Sequence, residues 1–276
     1  MTTPTSEKPE TTEEVKLTRA SFRRYLATSN RRMPRAVRWL YRRVNNFSVP
    51  APRLVVKPML WAYLVLRFLV FFFRRVFIAE PLFKAYCKRY GRNLRTDIYI
   101  HWVMGKGDIV VGDNVLIDGK CTFAFAYRFV DRPVLEIGDG TGIGAGCGFS
   151  IGKRITIGRN CGIAPACWIL DSSGHPVGAA ERIADAKTHT WKPPSADDVR
   201  EVVIGDNVWI GRRSIIFPGV TIGEGSIISA GSVVRIQVPP YSLVAGNPGK
   251  IICRLPGAPK ITDSQPPSPP TESRSP

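Results

Sequence analysis

A chain of 276 residues can bury one core of ordinary size without disulfides and still carry extensions. Its formal net charge is +17, but the excess is local: up to Arg95 there are 21 Lys and Arg against 5 Asp and Glu, which leaves 18 of the 39 basic residues against 17 of the 22 acidic ones beyond. The six cysteines form no CxxC pair and have no histidine at zinc spacing, which excludes a recognisable zinc or redox motif and reads as small buried thiols in a reducing compartment.

In chain order, residues 1–18 are polar and have too little apolar surface to order themselves, so they read as a tail. From Arg19 to Phe47, aromatics alternate with arginines at helical spacing, the pattern of basic amphipathic helices. Met59–Ala79 is strongly apolar but broken by Arg67, Arg74 and Arg75, and an arginine at mid-bilayer costs several kcal/mol. The whole segment 19–95 is therefore expected to be helical and membrane-associated, with residues 19–79 facing an anionic bilayer, as an interfacial helix ahead of a span or a helix packed on the protein. The first apolar run starts beyond Pro58 and not behind a short basic leader, which argues against a cleavable signal peptide. The expected location is the cytoplasmic, inner face of a membrane. No DNA or RNA motif accompanies the basic segment, so no nucleic-acid partner is expected.

Beyond residue 100 short β-branched runs are punctuated by glycine with a period of six. Ile204, Ile210, Ile216, Ile222, Ile228 and Val234 recur without a slip. Earlier runs keep the spacing in shifted phases: Val111, Ile117, Phe123; Ile137, Ile143, Phe149; and Ile151, Ile157, Ile163, Ile169. A strand alternates faces every two residues, so this period requires a chain that turns a corner each time and returns an apolar side chain to one interior. Three flat faces per coil give a triangular prism over residues 96–255. Residues 256–276, rich in Pro and Ser, read as a second tail.

The repeat stops between Ile169 and Val202, and an excursion of that length (170–201) from a solenoid is usually functional or disordered. It holds SSGHPVGAAER, with His175 in the loop and Asp171 four residues earlier. Asp171 is placed either to orient the imidazole or to cap a corner. His189, later in the excursion, reads as solvated or as lining an acceptor cleft, and His101 as a cap on the first coil. Trp209 precedes an inward position, so it points outward, as a wall of a ligand cleft or as packing for a neighbouring subunit.

SSGHPVGAAER, VVIGDNVWIG, FPGVTIG, AGSVV and VAGNPGKII together resemble the hexapeptide-repeat acyltransferases, in particular the maltose, galactoside, nodulation-factor and polysaccharide O-acetyltransferase branch, over roughly residues 100–255. The resemblance implies an all-β, left-handed parallel β-helix, a homotrimer with sites between prisms, and acetyl-CoA as co-substrate with no metal. It implies that His175 is the general base, since imidazole can take the proton of a sugar hydroxyl as the oxygen attacks the thioester. It places the pantetheine arm on backbone around Ser229, Ala230 and Gly231, and the CoA phosphates near Arg235, Lys250 and Arg254. The chain departs from the sugar enzymes where they carry Asn and Asp acceptor contacts, having Gly146, Cys147, Gly148, Phe149 and Ser150 instead. The expected reaction is O-acetylation of a sugar, polysaccharide or glycolipid precursor. The alternatives are an amino-group or serine acceptor, a zinc hydratase on the same fold, which His101, His175 and His189 do not fit by spacing, and a non-catalytic scaffold.

Overall fold

In the computed structural model residues 19–126, 129–172, 178–188 and 199–257 are described. The chain divides into two compact units, Met1–Leu64 and Val65–Pro276. In the first, α1 (Arg19–Thr28) and α2 (Arg32–Asn45) form a helical pair. The Arg38 guanidinium donates to the carbonyls of Leu26 and Ser29 at 2.6 and 2.8 Å, placing a cation where the end of α1 leaves its carbonyls unpaired. Trp39, Leu40 and Val44 of α2 remain exposed.

Helix α3 (Arg53–Arg74) starts in that unit and runs through a π-helical turn, Arg75–Ala79, into α4 (Glu80–Tyr86). The continuous stretch Arg53–Tyr86 is long and apolar enough to cross a membrane, with a mean hydropathy of 1.8 in its apolar window and none of that window buried. Its last turns behave differently. Phe83 is buried with its ring centroid 4.8 Å from that of His101 and 5.5 Å from that of Phe123, and Arg74 Nε donates to the Ile98 carbonyl at 3.1 Å. Helix α4 thereby closes the open end of the apolar interior.

Six coils follow. They consist of β1 (Cys87–Tyr90), β2 (Arg95–Thr96) and β3 (Trp102–Met104); β4 (Asp108–Val111), β5 (Leu116–Ile117) and β6 (Thr122–Phe125); β7 (Val134–Ile137), β8 (Gly142–Ile143) and β9 (Gly148–Ile151); β10 (Arg154–Ile157), β11 (Gly162–Ile163) and β12 (Trp168–Leu170); β13 (Val202–Ile204), β14 (Trp209–Ile210) and β15 (Ile215–Ile216); and β16 (Thr221–Ile222), β17 (Ile227–Ile228) and β18 (Val233–Val234). Helix α5 (Ala179–Thr188) lies in the excursion, and β19 (Ser242–Ala245) and β20 (Lys250–Arg254) close the chain. The strands stack in parallel into three sheets: face A is β1-β4-β7-β10-β13-β16, face B is β2-β5-β8-β11-β14-β17-β19-β20, and face C is β3-β6-β9-β12-β15-β18. The pairing β19–β20 is antiparallel.

The period-six residues form the core. Ile117, Ile143, Ile163, Ile210, Ile228 and Val244 stack on face B, and Phe123, Phe149, Ile169, Ile216 and Val234 on face C, all buried. The Phe123 and Phe149 rings stack with centroids 5.3 Å apart. Asn114, Asn160 and Asn207 turn the corners between faces A and B at φ of 57°, 54° and 56°, a left-handed conformation that asparagine tolerates.

Three expectations change in detail. Strand structure begins at Cys87 and not at 96, because CKRY is pinned under α4 although only Cys87 of its four residues is even half-buried. Cys253 is exposed on the edge strand β20, whereas Cys121, Cys147, Cys161 and Cys167 are buried thiols as read. His101 does more than cap the first coil. It is 5% exposed, its Nδ1 accepts from the Cys121 N–H at 3.2 Å, and its Nε2 has no hydrogen-bond partner among the described residues.

Burial holds the His101 pKa down at about 4, against the opposing pull of Asp97. The folded state thus disfavours a proton that the unfolded chain accepts near 6.5. Stability is complete above that value and falls as pH drops from there toward 4, by on the order of 3 kcal/mol. Denaturant unfolding followed against pH is expected to show this slope, and His101→Leu to flatten it.

Candidate functional site

The excursion leaves the prism at the edge between faces C and A. Its two ends are tied by an antiparallel bridge between Ser172 and Val199, and by the Arg200 N–H donating to the Asp171 carbonyl at 2.7 Å. Asp171 is fully buried at this root, where its carboxylate accepts the backbone N–H groups of Gly152 at 2.5 Å and Lys153 at 2.7 Å. Burial raises its pKa, and the amides of Gly152 and Lys153 oppose the rise. These bonds cap the tight turn between β9 and β10, the second of the two roles read for this residue. His175 and His189 lie outside the described residues.

On face B the outward column reads Arg95, Leu116, Gly142, Gly162, Trp209 and Ile227, each paired in register with the next. The two glycines leave a trough between Leu116 and the Trp209 indole. A Cβ on Gly162 would come within 2.6 Å of that ring, so the indole lies directly on the glycine, whereas a Cβ on Gly142 would meet nothing within 4 Å. Trp209 remains 54% exposed. It walls a groove of about 680 Å³ that also takes in Asp118, Pro165, Arg212, Ser229 and Ala230.

The structure thus brings together Trp209, Ser229 and Ala230 of the residues read from the sequence. The amides of Ser229 and Gly231 are already committed, donating to the carbonyls of Val244 and Arg212 at 2.8 Å each, which leaves Ala230 as the exposed point between them. Gly231 does not line the groove; it turns the corner between faces B and C at φ 72°. Arg213 and Ala166 occupy equivalent corner positions at φ 58° and 63°, which costs a non-glycine residue of order 1 kcal/mol. Arg235, Lys250 and Arg254 also lie off the groove: the Arg235 guanidinium sits 3.8 Å from the centroid of the Phe217 ring, and the other two end the exposed strand β20.

Arg212 and Asp118 are groove charges that the sequence reading passed over. Arg212 had a signal, since it stands where VWIGRR breaks the small-residue habit of the corner. Asp118 had none, because only the stacking of coils brings it to this face. Helix α5 was also passed over, although the alanines, Glu181, Arg182 and Lys187 of AAERIADAKT are strong helix formers. Among the described residues no group of three or more His, Cys, Asp or Glu is arranged to hold a metal ion.

Replacing Trp209 with alanine is expected to leave the melting temperature nearly unchanged, because the indole is half exposed. It should raise the KM of the groove's ligand about tenfold, through loss of one aromatic wall. Separate KM titrations of donor and acceptor identify which ligand uses that wall.

Comparisons with known proteins agree with this architecture. The sequence profile of the bacterial transferase hexapeptide family (six repeats) matches residues 201–235. A candidate acetyltransferase of Staphylococcus aureus is 54% identical over 52 residues, covering 19% of this chain and 26% of the relative. A candidate acetyltransferase of Saccharomyces cerevisiae is 39% identical over 119 residues, covering 43% of this chain and 55% of the relative. The matched region thus spans about a quarter of one relative and about half of the other. A variant of AntD, an N-acyltransferase from Bacillus cereus in complex with dTDP-4-amino-4,6-dideoxyglucose and coenzyme A, superposes with a TM-score of 0.50 at 24% identity, covering 64% of this chain and 88% of that one. That likeness is one of fold. The fold is therefore the left-handed parallel β-helix of the hexapeptide-repeat acyltransferases, and residues 201–235 carry that family's repeat.

Proposed function

We propose that this protein is an acyl-CoA-dependent acyltransferase that moves an acetyl group from acetyl-CoA to a hydroxyl of a sugar, polysaccharide or glycolipid precursor. The observation that carries the reading is the face B groove, which unites Trp209 with Ser229 and Ala230 just past an excursion containing a GHP element. In the proposed reaction the His175 imidazole takes the hydroxyl proton as the acceptor oxygen bonds to the thioester carbonyl carbon. The C–S bond of the tetrahedral intermediate then breaks, and the departing thiolate of CoA takes the proton back. Asp171 acts as a positioning residue that fixes the root of the loop, Arg212 supplies a cation within the groove, and Arg235, Lys250 and Arg254, which lie off it, are assigned to the phosphates of CoA where the cofactor extends beyond the groove.

The excursion is rooted at the edge opposite face B. This supports a homotrimer in which the loop of one subunit meets the groove of another. An amino-group acceptor is the second reading, motivated by the fold shared with an N-acyltransferase. The unburied apolar window within Arg53–Tyr86 supports a place at the inner face of a membrane.

Calorimetric titration with acetyl-CoA tests the groove. Wild type is expected to bind, and Ala230→Trp, which fills the groove from an exposed position, to bind at least about tenfold more weakly with an unchanged melting temperature. Equal binding by both would place the donor elsewhere.

A further inference from the structure

A second groove of about 680 Å³ lies between the end of the apolar helix and the first coils, all within the unit Val65–Pro276. It is lined by Arg75, Glu80 and Lys84 from the helix and by Asn93, Arg95 and Asn114 from the prism. Two of its charges are spent on each other: Lys84 Nζ lies 2.7 Å from Glu80 Oε1 and also sits over the Tyr90 ring. Arg75 and Arg95 take part in no ion pair among the described residues, so the groove keeps two cations, flanked by Asn93 and Asn114, whose amides are bonded to each other, Asn93 Nδ2 donating to Asn114 Oδ1 at 2.9 Å. Arg75 opens the π-helical turn at the point where the exposed apolar face gives way to helix buried on the prism, as at Ala79 and Phe83. Arg74 fixes this junction through its bond to the Ile98 carbonyl.

We propose that this groove binds the phosphate headgroup of an anionic membrane phospholipid. Guanidinium groups match phosphate oxygens with paired N–H donors, and Arg75 and Arg95 face the groove from opposite walls. The lipid source follows from place: the groove adjoins the helix whose window is wholly unburied and apolar, so acyl chains leaving a bound headgroup would have an apolar surface to follow. The groove also shares Leu116 with the trough that leads to Trp209, so a bound headgroup would sit at the membrane end of that trough. The proposal rests on the membrane location proposed above and is independent of the transferase chemistry.

The full chain is to be assembled in nanodiscs of mixed phosphatidylcholine and phosphatidylglycerol and released into native mass spectrometry. Wild type is expected to retain phosphatidylglycerol in preference to phosphatidylcholine. The double variant Arg75→Gln/Arg95→Gln should lose that retention by roughly tenfold or more, while the charge-matched Arg42→Gln/Arg43→Gln, placed on α2, keeps it. Equal loss in both variants would show diffuse attraction and overturn the groove, as would retention unchanged in the first. Failure of wild type to enter nanodiscs would overturn the membrane location and the groove with it.

Discussion

His175→Ala is expected to lower acceptor-dependent CoA release by about 10²–10⁴-fold, the usual contribution of a positioned general base. A sugar hydroxyl is a weak nucleophile at neutral pH, and among the side chains of the excursion only an imidazole has an ordinary pKa suited to accept its proton there. The loss should fall on kcat with acetyl-CoA affinity unchanged, because the donor is assigned to the face B groove and not to the loop. Single-turnover assays beside a CoA titration separate the two. Retained turnover would move the base elsewhere, and a matching loss of CoA binding would make His175 a donor contact.

Asp171→Ala is expected to destabilise the protein by about 3 kcal/mol, since the buried N–H of Gly152 and the partly buried N–H of Lys153 lose their acceptor together. The same change loosens the root of the loop, where the Asp171 carbonyl also holds the Arg200 N–H. Turnover should therefore fall even at temperatures where the variant is folded. Asp171→Asn keeps one acceptor oxygen and is expected to lie between. Thermal unfolding and kcat measured on the same samples check both effects, and a variant as stable as wild type would contradict the capping role.

Much of the prism was legible because its rule is local. A residue such as Ile210 turns inward for reasons contained in its own six-residue repeat, and the unbroken run from Ile204 to Val234 predicts its coils directly. The first coil was harder to place: CKRY has no such repeat, and its strand forms because Phe83 of α4 fills the prism end and carries the chain onto it. The phase shifts in the earlier runs correspond to tight turns such as Gly152–Lys153, whose stability comes from Asp171 in the next coil.

The candidate site was legible in part. Trp209, Ser229 and Ala230 were found from motif and outward register, and they share one groove. Arg212 and Asp118 join it through stacking across coils, and the column Leu116–Gly142–Gly162–Trp209 becomes a trough only when residues from four repeats are aligned. The cationic groove at Arg75 and Arg95 was hidden for the same reason, since one residue belongs to an apolar helix and the other to a short outward strand.

The most direct test of the account follows the acetyl group itself. Purified protein is to be incubated with isotope-labelled acetyl-CoA and separate nucleotide sugars, glycolipids and their amino-sugar counterparts, with products read by mass spectrometry. A labelled acetyl ester on a hydroxyl-bearing acceptor is expected, with one equivalent of CoA released. Label on nitrogen alone would establish the amino-group reading, and acetyl-CoA left intact with every acceptor would contradict the transferase account.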